Sequence, residues 1–173
     1  MALEQIEKEE IVGSFAECGV FQGTLSQFIH ENAPTKEYFL FDTFEGFDER
    51  DLSTFDNNDQ RFQDTSEAAV LKRIGNTDNI IVRKGFFPDT TIGMKETKFA
   101  LAILDFDKYK PTLAAIEYFY SRMSVGGFIF VHDYSNPESD WACSKALDKF
   151  LEDKPEHAIL IPDCWGSAVI RKV

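Results

Sequence analysis

The stretch Ser14-Phe15-Ala16-Glu17-Cys18-Gly19-Val20-Phe21-Gln22-Gly23-Thr24 commits the chain to a short apolar strand that breaks into a tight turn and then opens a helix. Leu25, Phe28 and Ile29 follow at helical spacing. A glycine just past a strand lets the backbone turn sharply and approach a ligand closely, which a β-carbon would prevent. The helix behind the turn aims unpaired N–H groups at whatever occupies it. Gly19 and Gly23 are two glycines where the dinucleotide fingerprint needs three. Glu17 stands two residues before Gly19. An anion there would repel a phosphate and suits a ligand with positive charge, an amine or a sulfonium.

The same strand-then-helix unit recurs along the chain. Apolar strands are expected at 37–42, 79–85, 99–107 and 128–133. Helices are expected at 2–11, from the glycine turn to about Asn32, at 59–74 and briefly at 90–97. Another follows Pro111 with Leu113, Ile116, Phe119, Tyr120 and Met123 inward, and a last one covers 138–152. Residues 157–162 and 167–173 read as two strands joined too tightly for a helical crossover, so they are antiparallel. The polar run 47–58 reads as a long loop over the sheet edge and a candidate lid. The pattern predicts an α/β fold: a doubly wound, Rossmann-like sheet of about seven strands, mostly parallel with the C-terminal strand antiparallel, and helices on both faces. One domain is expected over 1–173, with its core at 14–173 and an N-terminal helix at 2–11.

Composition narrows the partners. A net charge of −12 argues against nucleic acid and anionic membranes, both of which reward basic patches. No apolar run approaches the roughly 18 residues a membrane span needs. The acidic N-terminus lacks the basic and apolar regions of a signal peptide, and three cysteines form neither an even framework nor a metal pair, so a cytoplasmic location is expected.

In such sheets ligands bind beyond the carboxyl ends of the strands, where the strand order reverses. Here those ends carry acids: Glu17, Asp42, Asp105 with Asp107, and His132-Asp133. Carboxylates crowded together are costly unless something cationic joins them. Asp42, about 20 residues past the glycine turn, can accept both hydroxyls of a ribose. Asp105, Asp107, His132 and Asp133 end two strands expected to be adjacent, and oxygens with one imidazole suit Mg²⁺, Mn²⁺ or a similar ion. Phe86, after Gly85, can pack on a planar base. His30 and His157 are read as structural.

Taken together, the segments 15–23, 39–46 (Phe-Leu-Phe-Asp-Thr-Phe-Glu-Gly), 84–90, 104–112 and 124–134 resemble class I S-adenosylmethionine-dependent methyltransferases, and more narrowly the macrocin O-methyltransferase family, metal-dependent enzymes that methylate sugar hydroxyls. The resemblance implies that Glu17, Gly19 and Gly23 hold the methionine end of the cofactor, Asp42 with Thr43 the ribose, and Gly85 and Phe86 surround the adenine. It implies a divalent ion, Mg²⁺ or another, on Asp105 and Asp133, with Asp105 as base toward the acceptor hydroxyl; His132 joins them as a candidate ligand through its own imidazole. Where the family has Asp-Asp-Tyr, this chain has His132-Asp133-Tyr134. The expected acceptor is a small hydroxylated molecule, and a homo-oligomer is the expected source of further cover. A non-catalytic binder of the same cofactor and a nicotinamide-dependent oxidoreductase are the competing readings.

Overall fold

The computed structural model describes residues 2–52, 59–94, 96–164 and 166–173. Strands β1 (Ser14–Cys18), β2 (Tyr38–Asp42), β3 (Ile80–Lys84), β4 (Phe99–Leu104), β5 (Met123–Val131), β6 (Ile159–Leu160) and β7 (Ala168–Arg171) form one sheet in the order β3-β2-β1-β4-β5-β7-β6. β1 through β5 pair in parallel, and β7 runs antiparallel to both β5 and β6. This is the expected doubly wound sheet. The order reverses between β1 and β4, which opens a crevice beyond their carboxyl ends.

Strand parity sorts the core into two layers. On one face Ala16, Cys18, Phe39, Phe41, Phe99 and Leu104 pack under helices α4 (Tyr109–Tyr120) and α5 (Ala142–Leu151). On the other, Phe15, Tyr38, Leu40 and Leu101 pack under α1 (Ala2–Lys8), α2 (Thr24–Asn32) and α3 (Glu67–Ile74). β2 is buried on both faces, as its nearly continuous apolar sequence requires.

Several boundaries differ from expectation. Helix α1 stops at Lys8 rather than reaching residue 11. The helix expected over 59–74 begins at Glu67, because Ser66 caps it by accepting from Ala69 N at 3.2 Å. Residues 62–65 instead tie back to the glycine turn: Thr65 Oγ1 donates to Phe21 O, and Gln22 Nε2 donates to Asp64 Oδ2 at 2.9 Å. The short helix expected at 90–97 is one 3₁₀ turn, Asp89–Thr91. Met123, expected on α4, opens β5; the bend at Gly126, with φ +84°, lets the strand start before the Gly126-Gly127 pair rather than after it. A 3₁₀ turn at Pro137–Ser139 delays α5 to Ala142. β6 is two residues long within the expected 157–162. Residues 53–58 of the expected lid lie outside the described residues. Among the described residues no helix is long and apolar enough to cross a membrane.

Candidate active site

The strand tips interlock at the reversal. Gly19 N donates to Phe41 O at 3.0 Å, Asp105 N to Cys18 O at 2.8 Å, and His132 N to Leu104 O at 2.9 Å. Gly19 has φ +82°, and a β-carbon there would lie 1.9 Å from the carbonyl oxygen of Asp105. The glycine turn and the tip of β4 therefore touch, backbone to backbone. Between them and the tips of β2 and β3 lies a cleft of about 140 Å³, lined in part by Gly19, Asp42, Thr43, Gly85, Asp105 and Asp107.

Three of the residues expected beside a ligand lie elsewhere. Gly23 faces α3, where a β-carbon would come 2.8 Å from Val70 Cγ1. The Phe86 ring is covered by the Arg50 guanidinium, 3.6 Å from its centroid, and Arg50 Nη1 pairs with Asp89 at 2.7 Å. Glu17 is 2% exposed and points under α2, where Ser26 Oγ donates to it at 2.7 Å and the Tyr38 hydroxyl donates to the same oxygen. Strand alternation explains this: Glu17 shares the face of Phe15, not the rim of the sheet.

Burial pushes the Glu17 carboxyl up to about 8, against an ordinary value of 4.5, despite its two donors. The unfolded chain releases this proton near 4.5 and the folded chain holds it to about 8, so the native state binds more protons in between and loses stability as pH rises through that window. Glu17→Gln keeps both accepted hydrogen bonds without the charge. It should be more stable than the parent at pH 8, on the order of a few kcal/mol, and no different at pH 4.5. Thermal unfolding of both proteins from pH 4.5 to 9 checks this; parallel curves would refute it.

Asp42 Oδ2 accepts from Val20 N at 2.6 Å and Phe21 N at 2.9 Å, while Oδ1 accepts from Phe44 N at 2.6 Å. Its carboxylate thus holds the glycine turn and the start of the next loop in place. Thr43 Oγ1 donates to Gly46 O at 2.5 Å, closing that loop.

Asp105, His132 and Asp133 meet at the tips of β4 and β5, with one donor atom of each within 4.8 Å of the others. His132 Nδ1 lies 3.1 Å from Asp105 Oδ1 and 3.4 Å from Asp133 Oδ2. Neither approach has hydrogen-bond angles, so the attraction is one of charge. Contact with Asp105 first, and Asp133 next, pushes the imidazole up to about 10. Asn136 Nδ2 donates to Asp133 Oδ1 at 3.0 Å. Burial and the neighbouring Asp133 push Asp107 up to about 8. Burial would raise Asp133 as well, but His132 and Asp107 hold it well below the usual carboxylate range. The opposite directions of the two shifts put the pair's proton on Asp107, the carboxyl that faces Asp133. Both residues have left-handed backbones, φ +58° and +56°, strain of the kind that clusters at functional sites.

The sequence reading puts a loop over the sheet edge at 47–58 but names neither Phe62 nor Asp51 as part of the cleft. Phe62 sits edge-on to Phe21, with centroids 5.2 Å apart, and to Phe47 at 5.4 Å. Asp51 also lines the cleft. The isolated phenylalanines of the polar run 47–62 were the available signal. A larger hollow, about 1040 Å³, lies along α1 and α2, and His132 borders it while Asp105 and Asp133 do not.

The profile of the Macrocin-O-methyltransferase (TylF) family matches residues 1–166. The chain belongs to this family. Among its relatives, 8-demethyl-8-(2,3-dimethoxy-alpha-L-rhamnosyl)-tetracenomycin-C 4'-O-methyltransferase of Streptomyces olivaceus is 27% identical over 149 residues, 77% of this chain. Mycinamicin III 3''-O-methyltransferase of Micromonospora griseorubida is 23% identical over 168 residues, 87% of this chain. The chain spans 57% and 65% of the length of these two relatives. The structure of the O-methyltransferase NovP superposes with a TM-score of 0.82 at 21% identity, covering 99% of this chain and 76% of NovP. The calicheamicin methyltransferase CalS11 superposes at 0.74, also at 21% identity, covering 98% of this chain and 77% of its own. These likenesses show the methyltransferase fold of the TylF-family sheet.

Proposed function

We propose that this chain is an S-adenosylmethionine-dependent O-methyltransferase acting on a hydroxyl of a small, sugar- or natural-product-like acceptor. The observation that carries the reading is the contact of Gly19 with Asp105, which brings a ligand-binding turn and a carboxylate cluster to one cleft. The family supports it, and so do relatives named for methylating sugar positions.

The cofactor supplies a methyl group on a sulfonium. Gly19, pressed against the Asp105 backbone, leads the turn past the methionine end, Gly23 sets the pitch of α2 behind it, and Glu17 braces α2 from beneath through Ser26. Asp42 and Thr43 shape the ribose side, and Gly85 with Phe87 and Phe106 forms the wall beside the base, Phe86 standing behind it under Arg50. Asp105 accepts the proton of the acceptor hydroxyl. Methyl transfer then depends on in-line alignment, which the interlocked strand tips hold.

The donor set of Asp105, His132 and Asp133 fits a divalent cation such as Mg²⁺, which would ease loss of the hydroxyl proton. A second reading rests on His132 itself. Its imidazolium, set between two carboxylates, already offsets one of their two charges and would serve without metal.

Calorimetric titration with S-adenosylhomocysteine should show micromolar binding, unchanged within a few-fold in Asp105→Asn. Turnover with a panel of glycosylated polyketides should fall about 10²–10⁴-fold in that variant. Stimulation of turnover by Mg²⁺ selects the metal reading, and indifference to Mg²⁺ and to chelator selects the imidazolium. Absence of S-adenosylhomocysteine binding would sink the methyltransferase reading altogether.

A further inference from the structure

The helix layer on the α1–α3 face of the sheet is incomplete. A mostly parallel sheet is normally covered on both faces. On this face α1 is seven residues long, and along it and α2 lies the hollow of about 1040 Å³. Ile103 of β4 and Phe130 of β5 line this hollow and are only partly buried, although Leu101, on the same face of β4, is 2% exposed. Helix α2 turns a second apolar stripe toward it. Ser26 and Ile29 are buried in the core, but Leu25 and Phe28 line the hollow and are 41% and 58% exposed. Single apolar residues scattered over a surface need no explanation, but these share one concavity.

The rim is acidic. Glu7 and Glu10 stand along it, exposed, and among the described residues neither has an ion-pair partner. Lys36, which also lines the hollow, is already engaged with the Phe15 ring, 5.7 Å from its centroid, and with Ile11 O at 3.4 Å. A second copy of this chain fits poorly. A two-fold contact would set Glu7 and Glu10 against the same residues of the other copy, in a protein whose net charge is −12. A gap in a layer of helices, apolar on its floor and acidic along its rim, fits a helix with an apolar stripe and basic flanks.

We propose that this hollow is the docking site for a basic amphipathic helix of a partner protein. The apolar stripe of that helix covers Ile103, Phe130 and Phe28, and its lysines or arginines face Glu7 and Glu10. Because the hollow reaches His132, the docked helix shares a wall with the acid cluster.

The test is fluorescence anisotropy with three labelled peptides of about 14 residues, close to four helical turns. One is built of Leu and Lys with Leu at helical spacing. The second has the same composition with the spacing scrambled, and the third replaces every Lys by Glu. The Leu/Lys helix should bind in the micromolar range, at least about tenfold tighter than either of the others. Phe28→Glu should weaken it at least about tenfold, even though the substitution adds negative charge, because the apolar anchor is lost. Glu7→Lys combined with Glu10→Lys should weaken the Leu/Lys helix and turn the preference toward the Leu/Glu helix. These side chains are exposed, so each variant should melt within about 2 °C of the parent. Equal binding of the scrambled peptide, or binding unchanged by Phe28→Glu, would mean charge attraction alone and overturns the inference. So does a dimer that Phe28→Glu dissolves in analytical ultracentrifugation, which gives the hollow to a second copy, and so does an absence of saturable binding. None of these outcomes touches the methyltransferase reading, which binding of S-adenosylhomocysteine decides.

Discussion

Gly19→Ala should destabilise the protein by at least about 3 kcal/mol and abolish S-adenosylhomocysteine binding. Two costs add. The left-handed backbone, φ +82°, costs an L-residue about 1–2 kcal/mol. The larger cost is steric: the new methyl would lie 1.9 Å from the Asp105 carbonyl oxygen and 2.8 Å from its carbon. Backbone cannot swing aside as a flexible side chain does. Asp105 N is itself bonded to Cys18 O, so relief of the clash must part β1 from β4 at the cleft. Gly93→Ala is the matched control. It has φ +75° and nothing within 4 Å of the added carbon, so it should show only the backbone strain. Differential scanning of the two variants separates the terms; at about 2–4 °C per kcal/mol, Gly19→Ala should melt at least about 6 °C below the parent. Equal losses in the two variants would refute the interlocking of the strand tips as the source of the effect.

Asp42→Asn should cost about 2–4 kcal/mol of stability even without ligand, and at least 100-fold in S-adenosylhomocysteine affinity. Both carboxylate oxygens accept backbone N–H groups, two on one side and one on the other. An asparagine has one oxygen. Whichever way the amide is turned, its NH₂ meets at least one backbone donor, and that donor loses its partner. A carboxylate that served a ribose alone would lose affinity and leave the empty protein unchanged. Denaturant unfolding of the ligand-free variant therefore distinguishes the two roles, and unaltered stability would refute the brace.

The sheet was legible because its signals are local. Unbroken apolar runs such as Tyr38–Phe41 identify strands covered on both sides, and their separation by helical periods leaves a doubly wound order as the natural arrangement. Asp42, Asp105 and Asp133 were legible as strand-end acids. Glu17 was not, since its direction depends on where the strand's two-residue alternation ends, one position short of Gly19. Met123 failed for a related reason: it continues the helical spacing of Ile116 and Phe119, and only the chain reversal at Arg122, whose N–H returns to Phe119 O, moves it to β5. Asp51 and Phe62 lie in a stretch with no period, where tertiary contacts alone decide the conformation.

The reversal of strand order also governs when the site comes into being. β1 finds β2 after a short helix, but its other neighbour is β4, with Ser14 paired to Phe99 across half of the chain. Closing so long a loop is slow, and the reward arrives only after the loss of chain entropy. Gly19 and Asp105 belong to the two sides of that late seam. A nascent or half-assembled chain thus has no crevice, and ligand occupancy serves as a report that assembly has finished.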